Sequence, residues 1–406
     1  MRNNVISICK GIAIILMVMG HAEVPDLLSN FIYVFHMPLF FIAAGYFFSR
    51  KNVDDPWGFC SRRMKGLYIP FLKWSLVFLL LHNLWFRVGL LNEQFGNWQG
   101  GVTHPYTAAD FAARFMRIVT SMSGYDEFMA GAFWFFRGLL VASILFLVLY
   151  KLIDGRTRLS HVGIVVAICA AALAFQAFRL GNGLRIVTLP NGGLREIWGL
   201  FFFGIGVLYR RFEPTIGHRW WVALLCFGII AYAATQHWCG MNNNGQLRDL
   251  LTLPVTGTAG FLMTKYIAEL IDMRESIMRR LLVFVGNNTL YVFIFHIISF
   301  KAVSWLKIMW YGLEPEQIGC HMVIHYNNHE DLFWILYTIA GVGIPLLVLT
   351  AVRRAHASIS ARRAPVAATP LPEAEAIPVS VEDPEPVPVP VEDEPEVAPE
   401  PEDVED

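Results

Sequence analysis

Apolar runs of 18 or more residues recur along this chain, and they constrain it more than any other feature. Inside a bilayer a segment must satisfy its own backbone N–H and C=O groups, so each run can cross only as a helix. Spans are expected at about residues 5–22, 30–48, 67–91, 132–150, 161–178, 195–209, 220–236, 249–271, 281–300 and 332–352. With 55% of its 406 residues hydrophobic and 16% charged, the chain is expected to be an all-α polytopic membrane protein. The expected fold is a bundle of about ten transmembrane helices with a disordered C-terminal tail.

The boundary of that bundle is set by a change in composition. Residues 371–406 hold 14 acidic and no basic residues amid many prolines, too little apolar bulk to fold. Two regions follow: a transmembrane domain over residues 1–363 and a Pro/Glu-rich acidic cytoplasmic tail over 364–406. Of 32 Lys and Arg, 19 fall on the side of the two termini, 7 on the opposite side and 6 within spans. The positive-inside rule therefore predicts an inner (plasma) membrane protein with both termini cytoplasmic. The first apolar segment has no small-x-small cleavage pattern and runs into a second span, which predicts a retained helix. The six cysteines show no regular spacing, so neither a disulfide framework nor a zinc site is expected.

Ionisable groups inside the apolar segments carry the functional signal. Residues 6–49 are nearly all apolar yet contain Lys10, His21 and His36. Lys10 and His21 are 11 residues apart, so on a helix they differ by about 20° in direction and roughly 16 Å in depth. A lysine inside a spanning helix costs about 3 kcal/mol even on a lenient insertion scale, which makes it a functional candidate. The plainer reading is that Lys10 snorkels to the inner headgroups while His21 closes the helix. His36 lies about two turns into the returning helix, where Pro38 can kink the backbone.

Later segments add further groups. Residues 92–131, with WQGGVTHPYTAADF at 98–111, are either a cover over a site or an ordinary surface loop. Phe133, Trp134, Phe135 and Phe136 read as an interfacial aromatic belt, and the guanidinium of Arg137 after them needs a partner. Spans five to eight read as scaffold. The polar segments 179–196 and 237–249 suit a hydroxyl-rich ligand or any wet loop. His296, with Tyr291 one turn earlier, is expected about one turn below the outer surface, level with His21 and His36. His321, His325 and His329 recur every four residues beside Asp331, a metal-like spacing on a continuous helix. Asn327-Asn328 argues against such a helix, and no metal is expected.

Lys10 followed ten residues later by His21 resembles the Arg/Lys-x10-His signature of the acyltransferase-3 family of integral-membrane O-acyltransferases, which includes bacterial sugar O-acetylases. FHMPLFFIAAGYFF (35–48), RRMKGLYIPFLKWS (62–75), the Phe133-Trp134-Phe135 cluster and GNNTLYVFIFH (286–296) resemble its further motifs in order. The resemblance covers roughly residues 3–352. It implies a ten-helix bundle, acyl-CoA (usually acetyl-CoA) as cytoplasmic donor, a glycan hydroxyl as acceptor, no cofactor and no nucleic-acid partner. His21 matches the catalytic histidine and Lys10 its basic partner. Lysine supplies a point charge where arginine supplies a bidentate fork. His36, Trp134, Arg137, Tyr291 and His296 are the expected substrate-binding residues. Many members also carry a fused hydrolase-like domain that is not seen here, so the membrane domain or a partner is expected to complete transfer.

Two chemistries stay open at this point: His21 as general base, or an acyl-histidine intermediate on it. Tyr291, His36 or His296 could stabilise the oxyanion. A glycan or lipid transporter would use the same residues as a proton relay, but it predicts paired interrupted helices in an internal repeat that the sequence lacks. A structural anchor for the acidic tail leaves Lys10 and the histidines unexplained.

Overall fold

A computed structural model of the chain describes residues 3–96, 104–184, 194–238, 240–241, 246–321, 323–324 and 331–363, and every regular element among them is helical. It divides into two units, residues 1–355 and residues 356–406. The described part of the second, residues 356–363, is helical, and the expected disordered tail at 364–406 lies outside the described residues.

The main helices of the first unit are α1 (Asn4–Gly20), α2 (Asp26–Tyr33), α3 (His36–Tyr46), α4 (Pro56–Arg87), α5 (Ala108–Ser121), α6 (Trp134–Asp154), α7 (His161–Gly181), α8 (Leu194–Ile216), α9 (Trp220–Thr235), α10 (Asp249–Asp272), α11 (Ile277–Asn287) and α12 (Thr289–Tyr311). A last helix, α13, runs Phe333–Arg363. Among the described residues, six helical segments are long and apolar enough to cross a membrane: Asp26–Tyr46, α4, Phe128–Asp154, α7, α12 and Phe333–Ile359. α1 and α9 are apolar but shorter, while α8 and α10 have 23 and 24 residues with charged groups among them.

Two breaks position the site. Pro38 has no N–H for the carbonyl of Val34 four residues back, so the helix stops there and restarts at His36, with Pro38 in the first turn where a missing donor costs nothing. The freed Val34 carbonyl accepts from Thr256 Oγ1 of α10 at 3.0 Å. The second break corrects the expected single span at 281–300, which is split at Asn288 between α11 and α12. Asn288 Nδ2 donates to the Phe284 carbonyl (2.8 Å) and its Oδ1 accepts from Arg353 of α13 (3.0 Å).

Glycine allows two very close crossings. A methyl group on Gly45 or Gly206 would strike the carbonyl of Phe203 or Ile42, which seats α3 directly on the backbone of α8. One on Gly286 would strike the Ser7 carbonyl, which fixes α11 against α1.

The described part of 92–131 is neither a loose loop nor purely an outer cap. Asn83 exchanges hydrogen bonds with the backbone of Tyr106 (2.7 and 2.9 Å), and Tyr68 Oη donates to the Val119 carbonyl (2.8 Å). The amphipathic α5, started by a Thr107–Asp110 capping box, therefore runs back antiparallel along α4. Residues 97–103, including Trp98, lie outside the described residues.

Candidate active site

α1 is started by Asn3, whose side chain accepts from Ile6 N (3.1 Å), and closed by His21, whose backbone N–H still bonds to Val18 O (3.1 Å). At its far end two imidazoles meet, and a third, His36, is tied to the same end through Tyr33. His21 Nδ1 lies 3.0 Å from His296 Nε2. The ring planes are 15° apart with centroids at 5.2 Å, which is the N···N distance plus roughly a ring radius at each end. The rings meet edge to edge, as an N–H···N bond requires. His296 Nδ1 faces the carbonyls of Phe293 (2.9 Å) and Val292 (3.2 Å). His36 Nδ1 faces the Ile32 carbonyl (2.9 Å), and its ring stands edge-on to Tyr33 (5.2 Å). Tyr33 Oη donates to the carbonyl of Gly20, beside His21, at 2.9 Å.

Burial ranks the three rings. His36 is 2% exposed and His296 0%, whereas His21, taken as a whole residue, is partly exposed. Both nitrogens of His296 are engaged within the protein. Lys10 is half-buried on the same helix, 11 residues back from His21.

The other expected residues are placed as follows. α12 continues to Tyr311, well past the expected end of that span near residue 300, and the bond to His21 puts His296 level with it. Tyr291 is half-buried near the start of α12 and roughly 140° around it from His296. The Phe133–Phe136 cluster is core, not belt: Phe133 packs near Phe71, Phe78 and Phe293, and Trp134 is buried beneath the Arg195 guanidinium (4.4 Å). The reason is that α4 and α12 flank the start of α6 and shield it. Arg137 finds its partner in Glu196 of α8, Nε to Oε1 2.8 Å, both buried.

His321 is buried edge-on to Phe128 (4.6 Å), and Asp331 pairs with Lys307 (3.1 Å). No group of three or more metal-ligating side chains occurs among the described residues, while His325, His329, Asn327 and Asn328 lie outside them. Cys239 also lies outside, and the five described cysteines are free thiols.

Sequence reasoning missed several polar groups. Lys301 and Lys307, counted as loop charges, are buried on α12, where Lys301 Nζ donates to the carbonyls of Ile318 and Cys320 (both 2.6 Å). Lys265 of α10, on supposed scaffold, sits between Glu213 (2.9 Å) and Glu269, and Tyr46 Oη donates to Glu213 (2.7 Å). Its i, i+4 spacing to Glu269 was a readable signal. His82 joins Asp126 (2.6 Å) in a fully buried pair that ties the end of α4 to the segment after α5.

The sequence profile of a family described as an acyltransferase domain matches residues 3–351, which takes in α1, both breaks and the three histidines. The chain belongs to the acyltransferase-3 family. No match was found among curated proteins or solved structures. The chain is thus a membrane acyltransferase, and its matched region ends within α13. In this acyltransferase the three histidines share one end of α1, while the Trp134–Arg195 and Arg137–Glu196 pairs form a separate cluster between α6 and α8.

Proposed function

We propose that this protein is an O-acyltransferase, most simply an O-acetyltransferase, that moves an acyl group from cytoplasmic acyl-CoA to a hydroxyl of an extracytoplasmic glycan. The observation that supports it is a partly exposed His21, bonded to a buried histidine, at the end of the helix that carries Lys10. The donor's anionic part is held at Lys10, and its acyl end reaches His21 roughly 16 Å away along α1. His21 takes the proton of the acceptor hydroxyl as its oxygen attacks the acyl carbonyl. The C–S bond then breaks, and His21 returns the proton to the departing CoA thiolate. Ten spans in an inner (plasma) membrane, with both termini cytoplasmic, would put Lys10 toward the donor side and His21 toward the acceptor side.

The test uses purified protein, radiolabelled acetyl-CoA and a soluble glycan acceptor. His21→Ala should lower turnover about 10²- to 10⁴-fold while donor binding survives. Lys10→Ala should mainly weaken donor binding, with Lys10→Arg closer to wild type because it keeps the charge. Wild-type turnover in His21→Ala would refute the assignment of the base.

A further inference from the structure

His21 can act as a base only through a nitrogen that carries a lone pair, and a neutral imidazole has one such nitrogen and one N–H. Which is which is set by the hydrogen bonds of the ring's other side. Carbonyl oxygens accept and cannot donate. His296 Nδ1 faces two of them, Phe293 O at 2.9 Å and Val292 O at 3.2 Å, so that nitrogen carries the hydrogen. The Nε2 of a neutral His296 is then an acceptor. His21 Nδ1, 3.0 Å away, has to donate to it. The hydrogen is thereby assigned on both rings, and His21 Nε2 is left as the bare nitrogen. No hydrogen bond reaches His21 Nε2 among the described residues.

We infer that His296 is a positioning residue which, through the backbone carbonyls of α12, holds His21 in the Nδ1-protonated tautomer with Nε2 as the nitrogen that accepts the acceptor's proton. This rests on the proposed reading of His21 as the base. The geometry also separates the roles of the two buried rings. His36 Nδ1 is bound to Ile32 O, and no hydrogen bond joins its ring to His21 among the described residues, whereas His296 spends both nitrogens on the relay. His296 has no free N–H for an oxyanion. Both carbonyls belong to the regular backbone of α12, so the direction of the relay is built into the fold.

The experiment reads the tautomer directly. Full-length protein with ¹⁵N-labelled histidine, in detergent or nanodiscs, is compared with His21→Ala so that the missing signals identify His21. The expected wild-type spectrum shows His21 protonated at Nδ1 and bare at Nε2. The opposite tautomer would overturn the inference whatever the variants do. Two variants add kinetics. The amide oxygen of His296→Gln can sit where Nε2 stood, so kcat should stay within about tenfold of wild type. His296→Leu removes the acceptor and should lower kcat about 100-fold at unchanged KM for acetyl-CoA, within the range of a misplaced general base. Equal kcat in His296→Leu and wild type, with His21 still protonated at Nδ1, would also overturn it. If the tautomer is as expected but His21→Ala still turns over, the base assignment has failed and the tautomer relay has not.

Discussion

Arg137 shows how differently one residue reads before and after its neighbours are known. In the sequence it is a guanidinium after four aromatics, suited to a substrate. In the fold it is bonded to Glu196, and both side chains are almost wholly enclosed. Removing one member of such a pair strands the other charge and typically costs about 3–5 kcal/mol, while replacing both by apolar groups of similar volume is often neutral. Glu196→Gln should therefore lower the melting temperature of the solubilised protein sharply, and Arg137→Met with Glu196→Leu should recover most of it. If the double variant is stable and transfers acyl groups, Arg137 is structural; if it is stable and inactive, Arg137 serves substrate. His21 and His36 could be picked out because imidazoles stand alone in apolar sequence. His296 could be placed level with them, but the direct bond between its ring and that of His21 could not, because it depends on how α1 and α12 pack, which hydropathy does not report.

Helices and their contacts follow the same division. All ten apolar segments proved helical, because apolar runs of that length have few alternatives. The stop at Asn288 was written in the Gly286-Asn287-Asn288 triplet, yet it depends on α1 passing close enough for Ser7 Oγ to bond Asn287 Oδ1 at 3.2 Å. A hydropathy window averages over such a break. Gly286→Ala is expected to force α11 from α1, with a cost of about 1–3 kcal/mol or more from overpacking. A fall in thermal stability and in turnover together is the expected result, because α11 leads directly into the helix that carries His296. Gly66, whose added Cβ would meet open space, is the control, and Gly66→Ala should change neither. α5 escaped notice for another reason: its apolar residues recur on one face of a short helix that fails a span-length window.

At the scale of the whole molecule, orientation decides what the site can join. The charge asymmetry of the sequence suggests that both termini are cytoplasmic. The acidic segment 364–406 lies beyond the family match, so truncation after Arg363 should leave acyl transfer intact at equal expression, and a loss of turnover would make the tail part of the machinery. Orientation itself can be tested with single cysteines in a background lacking the six native ones. A membrane-impermeant thiol reagent applied to intact cells should label a cysteine at Glu314, between α12 and α13, and not one at Ser358 until the cells are opened. Labelling of the Ser358 cysteine in intact cells would reverse the topology. His21 would then lie toward the cytoplasm and Lys10 away from it, so an acyl-CoA made inside the cell could not meet Lys10 first. The donor route along α1 would fail even if His21→Ala remained inactive, and transfer between two groups on the cytoplasmic side would become the simpler reading.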